Sequence, residues 1–349
     1  MDTAPPQPTI AQYHRLTRRR WQMLGLLAVC LVASIWVDVL TGSSGLRWPE
    51  VLSALIHPSG VAATTRVILW DLRLPMALLA GSIGLALGQA GAEMQTLLDN
   101  PLASPFTLGV SSAAALGAAL AIVFGLTLPG IPGPWMVAVN AFLFALAATW
   151  LLDLAARHSA LSPSGIILFG IALVFSFNAI LSLIQYVASA EALQGLVFWT
   201  MGSLSQASWP RVGLMLGASA LLLPLALFDR WRLTALRLGE DRATSFGVDV
   251  RHLRRKALTR VSLLAALAVS FAGTIGFVGL VAPHIARRLF GEDHRFYLPG
   301  SALMGGLILS LAAVVSKNLV AGVIVPVGIV TSLVGIPFFV GVMLRHPLR

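Results

Sequence analysis

Few residues in this chain are of a type that does chemistry, and they stand far apart. Glu93 is an ionisable side chain inside an apolar run, with Gln95 two positions on. Such a residue is a functional candidate by default, although its place near the end of the run equally suits a structural hydrogen bond. Directly after it comes Asp99-Asn100-Pro101-Leu102-Ala103-Ser104-Pro105. Two prolines this close remove backbone donors and interrupt a helix, so the freed groups need partners such as Asn100 or Ser104. Pro283-His284 is followed one turn later by Arg287 and Arg288. His284 lacks a second histidine four positions on, because Arg288 stands there, so local hydrogen bonding is expected of it and metal ligation is not. No phosphate-cradling G-x-x-x-x-G-K-[ST] occurs, and no His, Asp and Glu cluster shares a common depth. Bond-making chemistry is therefore not expected of this chain. The lone Cys30 leaves no intrachain disulfide or thiolate metal cluster, and its apolar setting reads as a buried small hydrophobe.

The elements that must carry these residues are apolar helices. The 349 residues are 57% hydrophobic and 11% charged, with a mean hydropathy of +0.85, whereas soluble domains carry about 25% charged residues. Only a bilayer removes the need to cover the surface with charge, and it demands backbones satisfied within each segment. Barrel strands would alternate polar and apolar residues; here the runs are continuous. Ten are expected, at 21–40, 74–98, 108–128, 135–156, 164–187, 210–228, 257–272, 275–286, 297–316 and 326–344. The stretch 275–286 is too short to cross, and with Gly273 and Pro283 it reads either as a broken helix packed within protein or as a sign that ten is the wrong count. Residues 189–205 are weakly amphipathic and should lie along one membrane face. Arg15, Arg18, Arg19 and Arg20 precede a run that continues to Leu40 without a small-residue cleavage site, so a retained first helix is expected after a disordered tail. Glycines at 81, 84, 88 and 91 recur at near-helical spacing, as do 109, 117 and 125; small faces let helix backbones approach closely in lipid.

The net charge of +10 sits between the apolar runs, without the aromatic-and-basic surface that binds nucleic acid. Of the 24 Lys and Arg, only Arg47, Arg66, Arg73, Arg211 and Lys317 fall on one side of the threading. The positive-inside rule makes that side the outside and places both termini in the cytoplasm. Arg73, in Asp71-Leu-Arg-Leu-Pro75, then lies at the outer boundary, where it can snorkel, and Pro75 suits the first turn of a helix. The inside loop 229–256 sets Leu238, Arg242, Ala243 and Phe246 near one helical face, with turn-capable glycine at either end. This predicts a short amphipathic helix on the membrane surface or against a partner.

A series of motifs resembles a known family. In order they are Leu72-Arg-Leu-Pro75; Asn100-Pro101-Leu102-Ala103 with Pro105 and Leu108-Gly109-Val110; Trp199 with Met201-Gly-Ser-Leu204; and Leu238-Gly239-Glu240 with Ala243 and Phe246-Gly247. Then follow Gly276-Phe-Val-Gly279-Leu280, Pro283-His284 with Arg287, Asp293-His-Arg295, Pro326-Val-Gly328 and Gly335-Ile-Pro337-Phe338-Phe339. Across roughly residues 70–345 these resemble the permease subunit of bacterial ATP-binding-cassette importers for iron–siderophore, haem and vitamin B12, the FecCD/BtuC-like family.

The resemblance implies an all-α, polytopic membrane protein with ten transmembrane helices, the type II importer permease architecture. It implies a cytoplasmic tail (1–20), one transmembrane permease domain (21–345) and a coupling loop (229–256), in the bacterial inner membrane. Two permease copies, or a heterodimer, would pair with two ATP-hydrolysing subunits and a periplasmic substrate-binding protein. No cofactor is expected in this chain, with ATP and magnesium on the partner. Gly239, Arg242 and Gly247 match the ATPase-coupling stretch, and Arg73 and Lys317 the positions that dock the binding protein. Glu93, Asn100, Pro101, Pro283, His284, Pro326 and Gly328 are structural or gating candidates. The chain departs from the family at Met76 (commonly Arg), Ala313 (commonly Asp), Lys317 (commonly Arg) and Gly322-Val-Ile324 (commonly Pro-x-Glu), which thins the outer charge. The cargo implied is a ferric siderophore or haem, moved from periplasm to cytoplasm by alternating access. Vitamin B12 or an oxyanion is the alternative within the class, and an ion-gradient-driven secondary transporter the alternative outside it.

Overall fold

The computed structural model describes residues 10–42, 47–126, 128–158, 163–320 and 322–345. These residues form fifteen α-helices: α1 (Ile10–Leu40), α2 (Trp48–Ile56), α3 (Ala63–Val67), α4 (Leu74–Leu97), α5 (Val110–Phe124), α6 (Gly133–His158), α7 (Pro163–Val187), α8 (Ala190–Thr200), α9 (Trp209–Phe228), α10 (Arg230–Leu236), α11 (Glu240–Ser245), α12 (Val250–Ala272), α13 (Val278–Phe290), α14 (His294–Asn318) and α15 (Val327–Arg345). Among the described residues the only β pairing is one bridge, Val320 to Val323. Each of the ten expected apolar segments coincides with a helix, and among the described residues six helical stretches are long and apolar enough to cross a membrane by length and composition.

The differences from expectation have local causes. α1 begins at Ile10, so residues 10–12, the end of the stretch before Tyr13 that was expected to be disordered, are helical; residues 1–9 lie outside the described part, as does Arg349. The guanidinium of Arg295 donates to the Tyr13 hydroxyl at 3.1 Å, and Arg20 lies over the Phe296 ring, which holds this early turn. Cys30 faces outward, toward the lipid side of α1, and is not buried in protein. Pro75 cannot donate within the continuous stretch from α3 to α4, and the helix there widens into a π-turn (Ile68–Arg73) in which the Leu74 N–H reaches back to the Leu69 carbonyl. The short segment forms later than 275–286, as the thirteen-residue α13, because Gly273–Phe277 are unwound. At 1.5 Å per residue it is about 20 Å long and cannot span the hydrocarbon.

The core is a set of helices in backbone contact around α4. A Cβ at Gly84 would overlap the Gly305 carbonyl of α14, one at Gly88 the Ser301 carbonyl, and one at Gly91 the Gly279 carbonyl of α13. Gly117 of α5 meets the Asn140 carbonyl of α6 in the same way. Lipid offers no hydrophobic drive between helices, so this closeness maximises dispersion contact instead. α7 and α15 present an opposite surface, with Leu168, Phe175, Leu183, Leu333, Val334 and Ile336 all outward.

Candidate functional site

Three breaks in helical structure meet at one point. α8 ends at Thr200, two residues before Gly202, α12 ends at Ala272, just before Gly273, and α15 begins after Pro326; the backbones at these three ends bond directly. Ser203 N–H donates to the Ala272 carbonyl at 2.8 Å and Gly328 N–H to the Gly202 carbonyl at 3.2 Å. The Thr274 hydroxyl donates to the Thr200 carbonyl at 2.5 Å. Gly202 (φ +73°) and Gly273 (φ +69°) hold left-handed backbone, and an added Cβ at Gly202, Gly273 or Gly328 would run into a facing carbonyl. Non-helical backbone at membrane depth survives where protein or a water-filled cavity satisfies it, and cavities flank this crossing. One of about 440 Å³ is lined by Phe106, Ser111, Met201, Thr274, Gly328 and Ser332, with no charged side chain on its walls. Another of about 600 Å³ lies between the ends of α6, α8, α9 and α12, with Trp199, Gln206 and Arg211 among its walls. Pro326 and Gly328 thus sit at the crossing. Phe277 takes φ +66°, a strained setting for a non-glycine residue, and its ring fills the place that a side chain at Gly335 would need.

The inside segment contains two short helices, the amphipathic one read from the residues and a second before it. α11 has its expected glycine at each end: Gly239 at φ +103° and Gly247 at φ +81°. Ala243 is buried, while Arg242, Leu238 and Phe246 are exposed. α10 precedes it and buries Leu233, Ala235 and Leu236. Trp231, Leu238 and Phe246 border a surface groove of about 410 Å³ that Arg237 and Glu292 close on one side. Burial works against the charge of Arg237, but Glu292, then Asp99, more than offset it and hold the guanidinium above its ordinary range.

The outer cations stand differently from expectation. Arg73 and Lys317 are both buried and their charge is already engaged. Lys317 pairs with Asp38 at 2.9 Å and donates to the Asp38 carbonyl at 3.2 Å. The Arg73 guanidinium donates to the carbonyls of Val39 (3.1 Å) and Leu40 (3.3 Å) at the end of α1, where four orphan carbonyls and the negative end of the helix dipole attract it. The free outward charge anticipated at these two positions is therefore absent: desolvated cations take the nearest acceptors. Ala313 is buried on α14, one turn before Lys317, so the carboxylate comes from α1 instead. Met76 packs against the core, and Val323 and Ile324 are exposed.

Glu93 is fully buried and ionically paired. Arg260 of α12 donates from Nε to Glu93 Oε2 at 2.8 Å and from Nη1 to Asp229 Oδ2 at 2.9 Å, and Gln89 donates to Glu93 Oε1 at 3.2 Å. The inner charge at Arg260 and the loop residue Asp229 are thus buried partners, which the sequence did not disclose. Asp38 was also missed; an acidic residue inside the first apolar run was the available signal. Asn100 closes an Asx-type turn, its Oδ1 accepting from Leu102 N–H at 2.9 Å, with Pro101 inside it. Pro283 is buried within α13. His284 meets the edge of Phe338, so neither lines the crossing directly.

A bundle of long apolar helices around an unwound, cavity-flanked crossing has the architecture of a polytopic membrane protein. Residues 27–345 match the model of the FecCD transport family, and the chain belongs to that family. It is 39% identical over 331 residues to the hemin transport system permease protein of Yersinia pestis, covering 93% of this chain and 96% of that one. It is 34% identical over 337 residues to the vitamin B12 import system permease protein of Vibrio cholerae, covering 96% and 98%. A solved inward-facing structure described as a metal-chelate type ABC transporter superimposes with a TM-score of 0.81 at 29% identity, over 93% of this chain and 99% of that one. The chain is thus a transport permease of the ATP-binding-cassette importer class.

Proposed function

We propose that this permease carries a ferric siderophore or haem from the periplasm to the cytoplasm by alternating access, across the bacterial inner membrane and with both termini inside. The cavity at the crossing carries this reading. Its walls combine apolar groups with hydroxyls and no charge, which suits a bulky chelate held weakly and released, and does not suit a bare ion that would need a coordinating shell. The likeness to a metal-chelate type transporter and to a hemin permease supports the same class of cargo.

In this reading a second copy of the chain covers the outward apolar faces of α7 and α15. Two ATP-binding-cassette subunits, which hold ATP and magnesium, seat against α10, α11 and the groove beside Phe246. Arg242, exposed on α11, contacts them, while Gly239 and Gly247 set the angle of that helix. A periplasmic binding protein delivers the cargo. This chain makes and breaks no bonds; its part is to present two conformations that the ATPase and the loaded binding protein stabilise differently.

Reconstitution in nanodiscs with the cognate ATPase and binding protein tests the reading. Ferric siderophore or haem should stimulate ATP hydrolysis above the unloaded binding protein, and cobalamin and oxyanions should not. Stimulation by cobalamin or an oxyanion alone overturns the cargo, and ion-gradient-driven transport without the ATPase overturns the class.

A further inference from the structure

The inside segment is fastened to α4 by three polar bridges that climb from the protein interior to water. Innermost, Asp229, the residue just before α10, reaches Glu93 of α4 through Arg260. Next, the Thr96 hydroxyl of α4 lies 2.8 Å from His294 Nε2, and His294 Nδ1 lies 3.1 Å from the Thr234 hydroxyl of α10. Each hydroxyl can also donate to a carbonyl of its own helix, Thr96 to Ala92 and Thr234 to Arg230, and the Thr234 oxygen accepts from the His294 backbone N–H at 3.1 Å. Outermost, Arg237 at the end of α10 pairs with Asp99, just past α4, at 2.5 Å and with Glu292 at 2.9 Å. Glu93, Thr96 and Asp99 are three residues apart, so the bridges leave α4 on one side. Each also enlists another element: α12 through Arg260, the first residue of α14 through His294, and the turn before α14 through Glu292. A segment that only joined α9 to α12 would need none of these contacts.

α4 is in turn joined to α14 and α13 by backbone contacts that leave no space for a Cβ, and such packing transmits displacement because it has low compressibility. α7, by contrast, packs on α5 and α6. We propose that the polar seam makes α10 part of the α4–α13–α14 block, so that a displacement applied at α10 and α11 moves this block as one body against α5–α8. Asp229, Thr234 and Arg237 are the positioning residues that carry the displacement. The inference rests on the importer reading, in which the ATPase supplies it.

Spin-label distances in the permease–ATPase complex test it, in nanodiscs, on a Cys30→Ala background and with labelled subunit diluted into unlabelled. One pair, Ser245→Cys with Asn318→Cys, spans α11 to the far end of α14; a second, Asn318→Cys with Glu191→Cys, spans α14 to α8. Between the nucleotide-free and ATP–vanadate states the first distance should hold and the second should shift. With Thr234→Val and Arg237→Gln together, in complexes that still hold the ATPase, the first distance should broaden or move and the shift in the second should be lost. Arg237→Gln alone, at the water-facing bridge, gives a weaker form of the same result if the double variant fails to fold. Retention of the full second shift in the variants overturns the seam, as does a parent in which the first distance moves as much as the second. A parent that hydrolyses ATP with neither distance moving overturns the seam and leaves the importer reading standing; failure of any ATPase to assemble with the parent removes both.

Discussion

Asp38 and Lys317 form an ion pair with almost no access to solvent, and its energetics follow from what each partner loses alone. Removing one charge strands the other in a medium that solvates it poorly, at a cost of about 3–5 kcal/mol, while replacing both by apolar residues of similar volume is near neutral. Asp38→Asn and Lys317→Met are each expected to lower the melting temperature in detergent, and Asp38→Leu with Lys317→Met to restore much of the loss. Additive losses in the double variant would show that the pair does not act as a unit. Gly88 makes a separate point about size. Any side chain there meets the Ser301 backbone, so Gly88→Leu should destabilise by at least about 1–3 kcal/mol through overpacking. Gly25 has nothing within 4 Å of its Cβ position, and Gly25→Ala should leave the melting temperature unchanged or raise it slightly.

α11 is six residues long, too short to hold its shape by helical hydrogen bonds alone. Its form depends on the glycine turns at each end and on Ala243, which anchors it. Arg242 is exposed, so Arg242→Glu should leave the permease fold and its melting temperature intact. It is expected to weaken co-purification of the ATPase, or to uncouple hydrolysis from transport, and undiminished assembly and transport would remove Arg242 from the contact. Gly239→Ala acts differently, because φ +103° is closed to a residue with a Cβ. It should reorient α11 and reduce assembly even though no contact atom has been removed.

For the molecule as a whole, the charge distribution predicts which end faces the cytoplasm. On a Cys30→Ala background, needed because Cys30 faces outward, a cysteine at Ser59 between α2 and α3 should react with an impermeant thiol reagent added to whole cells. One at Ser245 should react only after the membrane is opened. The reverse pattern would invert the orientation, together with the assignment of α10 and α11 to the ATPase side.

What could be read in the linear chain was whatever repeats at short range. Continuous apolar runs disclosed the helices, because in lipid a backbone must satisfy itself within each segment. Glycines at helical spacing disclosed the close-packed face of α4, and the paired glycines at 239 and 247 the ends of α11. Ordered motifs disclosed the family. The ion pairs lay beyond such reading: Glu93 meets Arg260 across 167 positions and Lys317 meets Asp38 across 279. Lys317 read as a charge on the outside of the threading, since a cation near a helix end is ordinarily solvated. Only the tertiary packing decided that water is excluded there, and a desolvated charge must take whichever counter-charge or carbonyl the fold brings within reach. The same packing brought the ends of α8 and α12 to the start of α15, because a backbone crossing is set by which helices lie against one another, and no local pattern along the chain encodes that.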